Sequence, residues 1–201
     1  HNGDVALHYA VAGDGETVVF CGEAGLGAWQ WSYLTTPLAR EYETLTFDYR
    51  GTGRSDVPGG DDAVDDLVGD LDAVCSEHGS RSVHLVGAGL GGVVAVEYAR
   101  RAGRVATLTL LGTPVSSAAV DPGALDRLRA PRDDPDALRA SLAVGLTPEA
   151  VEAYPAEVDR IVGWRREDDA AAVGWEGQTA ALLDADLADL YEVTTPALVF
   201  Q

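Results

Sequence analysis

The sequence predicts one α/β domain, built on a mostly parallel β-sheet with helices covering both faces. Between residues 44 and 111, short apolar runs typical of strands alternate with segments that have helical spacing. These strand-like runs are apolar on both faces, as expected of parallel strands buried between two layers of helices. At 201 residues, the chain is long enough to bury the core of one such domain.

The N-terminal segments predict two strands and a helix before the central part of the sheet. Residues 5–11 and 17–21 have strand character, and the turn Gly13-Asp14-Gly15 lies between them. We therefore expect these two strands to form an opening antiparallel pair. The segment 29–38 predicts a helix that leads into a strand over 44–47.

The next segments predict a helix, a strand, a glycine-rich turn, a second helix and a further strand. Apolar residues at positions 64, 67, 68, 71, 74 and 75 have the spacing of an amphipathic helix. We expect Asp61 or Asp62 to cap this helix and Gly79 to end it. Strands follow at 82–86 and 105–111, separated by the turn 87–92 and a helix over 93–101. The outer face of the first helix is predicted to carry its acidic residues, which are Asp65, Asp66, Asp70, Asp72 and Glu77.

Residues 113–194 predict several short helices, because prolines interrupt the segment and no strand-like run occurs in it. A strand over 197–200 then resumes the sheet. The predicted organisation is a core at 1–114, a helical cap or lid insert at 115–194 and a resuming core strand at 195–201. Because the chain starts at His1 and stops directly after an apolar run, we expect it to be a fragment that lacks C-terminal strand–helix units.

Three segments carry motifs whose order and spacing extend over most of the chain. Residues 48–56 read Asp-Tyr-Arg-Gly-Thr-Gly-Arg-Ser-Asp, a D-x-R-G-x-G-x-S-D turn. Cys21-Gly22-Glu23 resembles the His-Gly turn that supplies an oxyanion-hole amide, and residues 87–92 resemble a nucleophile elbow, G-x-S-x-G. Together they resemble the α/β-hydrolase superfamily. That resemblance implies an α/β-hydrolase fold with a helical lid.

The resemblance places Gly89 at the nucleophile position, where Ser, Cys or Asp is expected. Glycine has no side chain to attack a substrate, and it also removes a backbone strain of about 1–3 kcal/mol. The backbone amides of Glu23 and Leu90 are the expected oxyanion-hole donors, since backbone donors need no particular side chain. The triad acid and histidine are expected beyond Gln201. We expect the pocket to be lined by Gly22, Ala88, Trp164 and Trp175.

Three functional hypotheses follow. In the first, the protein binds a small apolar carbonyl or ester-like compound under a lid, with non-covalent acid–base chemistry. In the second, it is a catalytically silent ligand-binding or regulatory relative; an acid and a histidine after Gln201 would favour the first over the second. A lesser alternative is dinucleotide binding through Gly87-x-Gly89-x-x-Gly92, although the region where the ribose-binding acid is expected, residues 108–113, contains none.

The composition is strongly acidic. Thirty-three acidic residues stand against 14 basic ones, all of them arginine, for a net charge of −19. This charge argues against nucleic acid and membranes as partners and leaves a small molecule as the expected one. The composition resembles that of cytosolic proteins of salt-loving archaea, so we expect a halophilic, cytoplasmic protein. No cofactor or metal is expected, and Cys21 and Cys75 are predicted to be buried hydrophobes. The sequence leaves the oligomeric state open.

Overall fold

A computed structural model describes residues 1–60, 62–187 and 189–201, and contains a six-stranded sheet in the order β1-β3-β2-β4-β5-β6. The strands pair in parallel except β1, which is antiparallel to β3. This arrangement confirms the predicted α/β fold class. The strands are β1 (Tyr9–Ala12), β2 (Glu16–Cys21), β3 (Tyr42–Phe47), β4 (Val83–Ala88), β5 (Val105–Leu111) and β6 (Ala197–Phe200).

The predicted antiparallel pair of β1 and β2 is wrong. Both edges of β2 are occupied by parallel partners, β3 on one side and β4 on the other. The β1 strand therefore pairs with the far edge of β3, with Tyr9 opposite Phe47. Gly13 and Gly15 do form a turn, and both have positive φ, but the turn packs against the backbone of residues 39–42.

Helices cover the sheet between successive strands. They are α1 (Ser32–Leu38), preceded by a short 3₁₀ helix (Ala28–Trp31), then α2 (Val64–His78) and α3 (Leu90–Arg101). The main core contains residues of the four strands β2, β3, β4 and β5 and of the apolar faces of α2 and α3. Cys21 and Cys75 are both free thiols in this core, which confirms their prediction as buried residues. Gly79 ends α2 with a φ of 82°, also as predicted.

Two expectations about α2 need correction. Asp70 is not on the solvent face, because its carboxylate is completely buried against Arg50 of the turn that follows β3. The N-cap of α2 is Ala63, whose amide donates to the Asp66 side chain (3.0 Å). Asp61, one of the two predicted caps, lies outside the described residues.

The segment between β5 and β6 is helical, as the proline pattern indicates. Four of the prolines begin helices rather than interrupt them, since the first turn of a helix tolerates a residue without an N–H. Leu138, Leu142, Val158 and Val162 form a second, small core within this segment. The boundaries at 114 and 194 stay a prediction. The helices are α4 (Pro122–Leu128), α5 (Pro135–Ser141), α6 (Pro148–Ala153), α7 (Pro155–Asp168) and α8 (Ala172–Asp184).

Within the described part of the chain, no helix combines the length and the apolar character needed to cross a membrane.

Candidate functional site

A sharp turn joins β4 to α3 at a single residue, Gly89. Its backbone has φ 49° and ψ −113°, a combination that favours glycine over residues with a side chain. The Gly89 amide donates to the Leu111 carbonyl (3.0 Å), which fixes the turn to β5. Gly91 packs so closely on the Cys21 carbonyl that a Cβ there would overlap it. The glycines thus allow strand, turn and helix to meet without a gap.

The side chain of Glu23 points into this turn. Its Oε1 accepts hydrogen bonds from the backbone amides of Ala24 (2.7 Å) and Leu90 (3.1 Å). A Cβ built on Gly89 would overlap the Glu23 carboxylate. The carboxylate therefore occupies the space into which a side chain at position 89 would project.

Burial raises the pKa of Glu23 above the ordinary glutamate value, and the two amide hydrogen bonds oppose this effect in part. The opposition arises because backbone N–H donors favour the charged carboxylate, and the Leu90 amide also lies at the N-terminus of α3. Raising the pKa moves the carboxyl group toward the range in which it exchanges protons near neutral pH.

The two expected oxyanion-hole amides are both engaged within the chain. Leu90 N–H donates to Glu23 Oε1, and Glu23 N–H donates to Gln30 Oε1 (3.0 Å). Their role as oxyanion-hole donors stays a prediction, and each amide already has a partner within the chain. Side chains of their own chain are long enough to reach these amides, and a carboxylate is a favourable partner for an exposed helix N-terminus.

Most of the predicted site residues lie together around the turn, whereas the two predicted tryptophans lie on the helical segment. Glu23, Gly89 and Leu90 lie together, and Gly22 is held nearby through Gln30, against which a Cβ at position 22 would press. The Glu23 carboxylate takes up the space directly in front of the buried Gly89, and the pocket expected from Gly22, Ala88, Trp164 and Trp175 stays a prediction. Ala88, the last residue of β4, is partly buried next to the turn.

The two tryptophans lie apart from each other. Trp175 on α8 packs against Gly25, two residues after Glu23, and also lines a cavity of about 490 Å³. That cavity is further lined by Arg129, Arg132 and the start of α8. Trp164 on α7 instead stacks on Trp29 (6.1 Å between ring centroids) and meets Tyr33 edge-on. Trp175 therefore connects the helical segment to the loop after β2 that contains Glu23 and Gly25, which we call the Glu23 loop.

Sequence reasoning did not identify Gln178, which is completely buried in α8. Its Oε1 accepts from the Gly25 amide (2.8 Å), and its Nε2 donates to the Arg50 carbonyl (2.8 Å) and to Thr52 Oγ1 (2.5 Å). One side chain thus ties the Glu23 loop and the 48–56 turn to α8. No local signal marked it, because Glu176 and Thr179 beside it are also polar.

His8, His78 and His84 contact residues that are not part of the turn at Gly89. His8 Nδ1 lies 3.3 Å from Asp48 Oδ2, and His78 and His84 contact Ser80 and Thr107. Asp48 also accepts from the amides of Ala28 and Arg54, so it organises the 48–56 turn. Across residues 1–60, 62–187 and 189–201, no group of three or more His, Cys, Asp and Glu residues is arranged to hold a metal ion.

Comparison with known proteins assigns the family. The model of the α/β-hydrolase fold family matches residues 16–147. The chain belongs to the α/β-hydrolase fold family. It is 30% identical over 112 residues to a protein of Azorhizobium caulinodans named "Putative carbamate hydrolase RutD" and 36% identical to its namesake in Variovorax paradoxus. These alignments cover 55% and 52% of this chain but only 42% and 41% of the relatives, so the chain matches less than half of their length.

Solved structures support the same fold. A hydrolase from Pseudomonas aeruginosa PA01 superposes with a TM-score of 0.79 at 26% identity, covering 97% of this chain and 75% of that one. The enol-lactonase from Burkholderia xenovorans LB400 superposes with a TM-score of 0.80, covering 96% of this chain and 76% of its own length. Its identity is 23%, so that likeness concerns the fold alone.

Proposed function

We propose that this α/β-hydrolase-family chain binds a small apolar carbonyl or ester-like compound near the turn at Gly89, beneath the helical segment 115–194, and forms no covalent intermediate with it. The observation that carries the proposal is the turn itself. The resemblance of residues 87–92 to a nucleophile elbow assigns Gly89 to the nucleophile position, where it supplies no attacking atom, and the Glu23 carboxylate lies where a side chain would project. What remains available is a carboxyl group with a raised pKa.

The class of ligand follows from the relatives and from the site. The two curated relatives are named for carbamate hydrolysis, and a carbamate contains the carbonyl group on which such chemistry acts. The cavity beside Trp175 is near the Glu23 loop and has the size of a small-molecule site. Trp175 and several alanines give this cavity an apolar wall, and Arg129 and Arg132 give it positive charge. These features suit a compact molecule that has one apolar part and one electron-rich polar end.

A labelling experiment tests the absence of a covalent intermediate at position 89. We expect the full chain to show no burst of 4-nitrophenol from 4-nitrophenyl acetate and no adduct with a fluorophosphonate, since neither reagent finds an activated hydroxyl or thiol. Ser55 is buried with its hydroxyl bonded to the Asp48 carbonyl, and burial raises the pKa of the Cys21 thiol far above its usual range. Stoichiometric labelling of Ser55, Ser116 or Cys21, located by mass spectrometry, would reveal a displaced nucleophile and refute the proposal.

A catalytically silent ligand-binding or regulatory protein is the second candidate. It is favoured by the engagement of both expected oxyanion amides within the chain, because such amides give little stabilisation to a developing oxyanion. Dinucleotide binding is less well supported. The amide at the start of α3 already binds the Glu23 carboxylate, whose negative charge would repel a pyrophosphate.

The charge of the chain leads us to propose a halophilic and cytoplasmic setting as well. With a net charge of −19, the carboxylates of the folded chain repel one another. Salt weakens this repulsion, because the screening length falls to about 3 Å at 1 M ionic strength. We expect the melting temperature to rise steadily between about 0.1 M and 2 M potassium chloride. Calorimetry in potassium chloride and, separately, in a neutral osmolyte distinguishes the screening of charges from a general stabilisation of the folded state. A melting temperature that is flat or highest at low salt would contradict this setting.

A further inference from the structure

The Glu23 carboxylate is held in an asymmetric way. Oε1 accepts both amide hydrogen bonds, from Ala24 and Leu90, which fix the orientation of the group. Oε2 is the oxygen that lies nearest to the Cβ position of residue 89. The carboxylate thus has one oxygen restrained by two amides and a second oxygen, Oε2, at the place where a side chain of residue 89 would lie. Glu23 as a residue is partly exposed, while its carboxyl group is largely enclosed.

We propose that Glu23 is a catalytic residue of this chain and acts as the general base for direct attack of water on the carbonyl group of a small ester or carbamate. This inference rests on the proposed function. Oε2 takes a proton from water while the water oxygen bonds to the carbonyl carbon. The tetrahedral intermediate then expels the alcohol, which takes the proton back from Glu23, and the acid is left as the second product. No acyl-enzyme forms, so no nucleophile at position 89 is required.

The surroundings of Glu23 determine how this step depends on pH. Tyr49 and Cys21 are both buried and lie close enough to affect each other's charge, and the Glu23 carboxylate adds to the field at Tyr49. Burial raises the pKa of both groups well above their ordinary values, so both stay neutral while Glu23 titrates. A base is active when deprotonated. The rate should therefore rise with pH through the raised pKa of Glu23 and then reach a plateau.

The test compares the full chain with Glu23→Gln, which keeps the shape of the side chain but removes the base. With 4-nitrophenyl acetate, and after subtraction of the uncatalysed rate, we expect Glu23→Gln to lower kcat/KM by at least about 100-fold and to abolish the pH dependence. Glu23→Asp, with a shorter carboxylate, should recover part of the rate. Glu152→Gln is the matched control, because Glu152 is an exposed glutamate in α6 and should leave the rate unchanged. Thermal melting establishes that each variant is folded.

The outcomes separate the two proposals. If Glu23→Gln hydrolyses the ester as fast as the unmodified chain, or the unmodified chain does not exceed the uncatalysed rate, the general-base role is overturned. Binding of a non-hydrolysable methyl ketone, followed by tryptophan fluorescence, would then still support the proposed function. A burst of 4-nitrophenol would overturn the proposed function itself. Hydrolysis in ¹⁸O-water that places the label in the Glu23 carboxylate would show a nucleophile instead of a base.

Discussion

Replacing Asp70 with alanine is expected to lower the free energy of unfolding by about 3–5 kcal/mol, since it leaves the buried Arg50 guanidinium with only the half-exposed Asp66 carboxylate (3.4 Å) as a charged partner. Asp70 is completely buried and accepts from Arg50 Nε (2.8 Å) and Nη2 (2.7 Å), and from Asn2 Nδ2 (2.9 Å). The side-chain hydrogen bond to Asp70 is the largest cause of the raised pKa of Arg50, and the guanidinium stays charged without it because arginine itself has a pKa above about 12. Equilibrium unfolding in urea measures the difference.

Two controls identify the buried pair as the cause. The double variant Arg50→Met with Asp70→Leu removes both charges and should recover most of the lost stability, because apolar residues of similar volume replace buried pairs at little cost. Asp159→Ala breaks an exposed pair with Arg139 and should change stability by less than about 1 kcal/mol. Equal losses at Asp70 and Asp159 would contradict this account.

The sequence allowed prediction of the fold because its main signals are local. The helical spacing in α2, the largely apolar strands β4 and β5 and the Gly79 stop each depend on neighbouring residues, and all appear in the structure. The pairing of β1 depends instead on which sheet edge is free. Two parallel partners flank β2, and no local pattern in residues 5–21 encodes their presence.

The candidate site also combines features that depend on neighbouring residues with features that depend on residues far away in the sequence. The glycine spacing identified the turn at Gly89, since the close approach of β4, α3 and the Cys21 carbonyl requires small residues at defined positions. The direction of the Glu23 side chain could not be read in this way, because it depends on an amide 67 residues away at Leu90. Gln178 was missed for the same reason: its partner at Gly25 is 153 residues away.

Replacing Gly89 with alanine is expected to cost about 3 kcal/mol of stability, from two separable sources. A side chain at φ 49° and ψ −113° is strained by about 1–3 kcal/mol. The new methyl group would also push the Glu23 carboxylate off the Ala24 and Leu90 amides, at a cost of about 1–3 kcal/mol for the unsatisfied buried groups. In a Glu23→Ala background only the strain remains, so Gly89→Ala should cost about 1–3 kcal/mol less there.

A double-mutant cycle in urea measures this coupling, with Gly163→Ala as the matched control. Gly163 lies within α7, and a Cβ there meets no atom within 4 Å, so alanine should stabilise the protein by up to about 1 kcal/mol. Additive costs at positions 23 and 89 would show that the carboxylate does not occupy the space in front of Gly89. Coupling of the expected sign, with Gly163→Ala independent of Glu23, would establish that Gly89 makes room for this carboxylate.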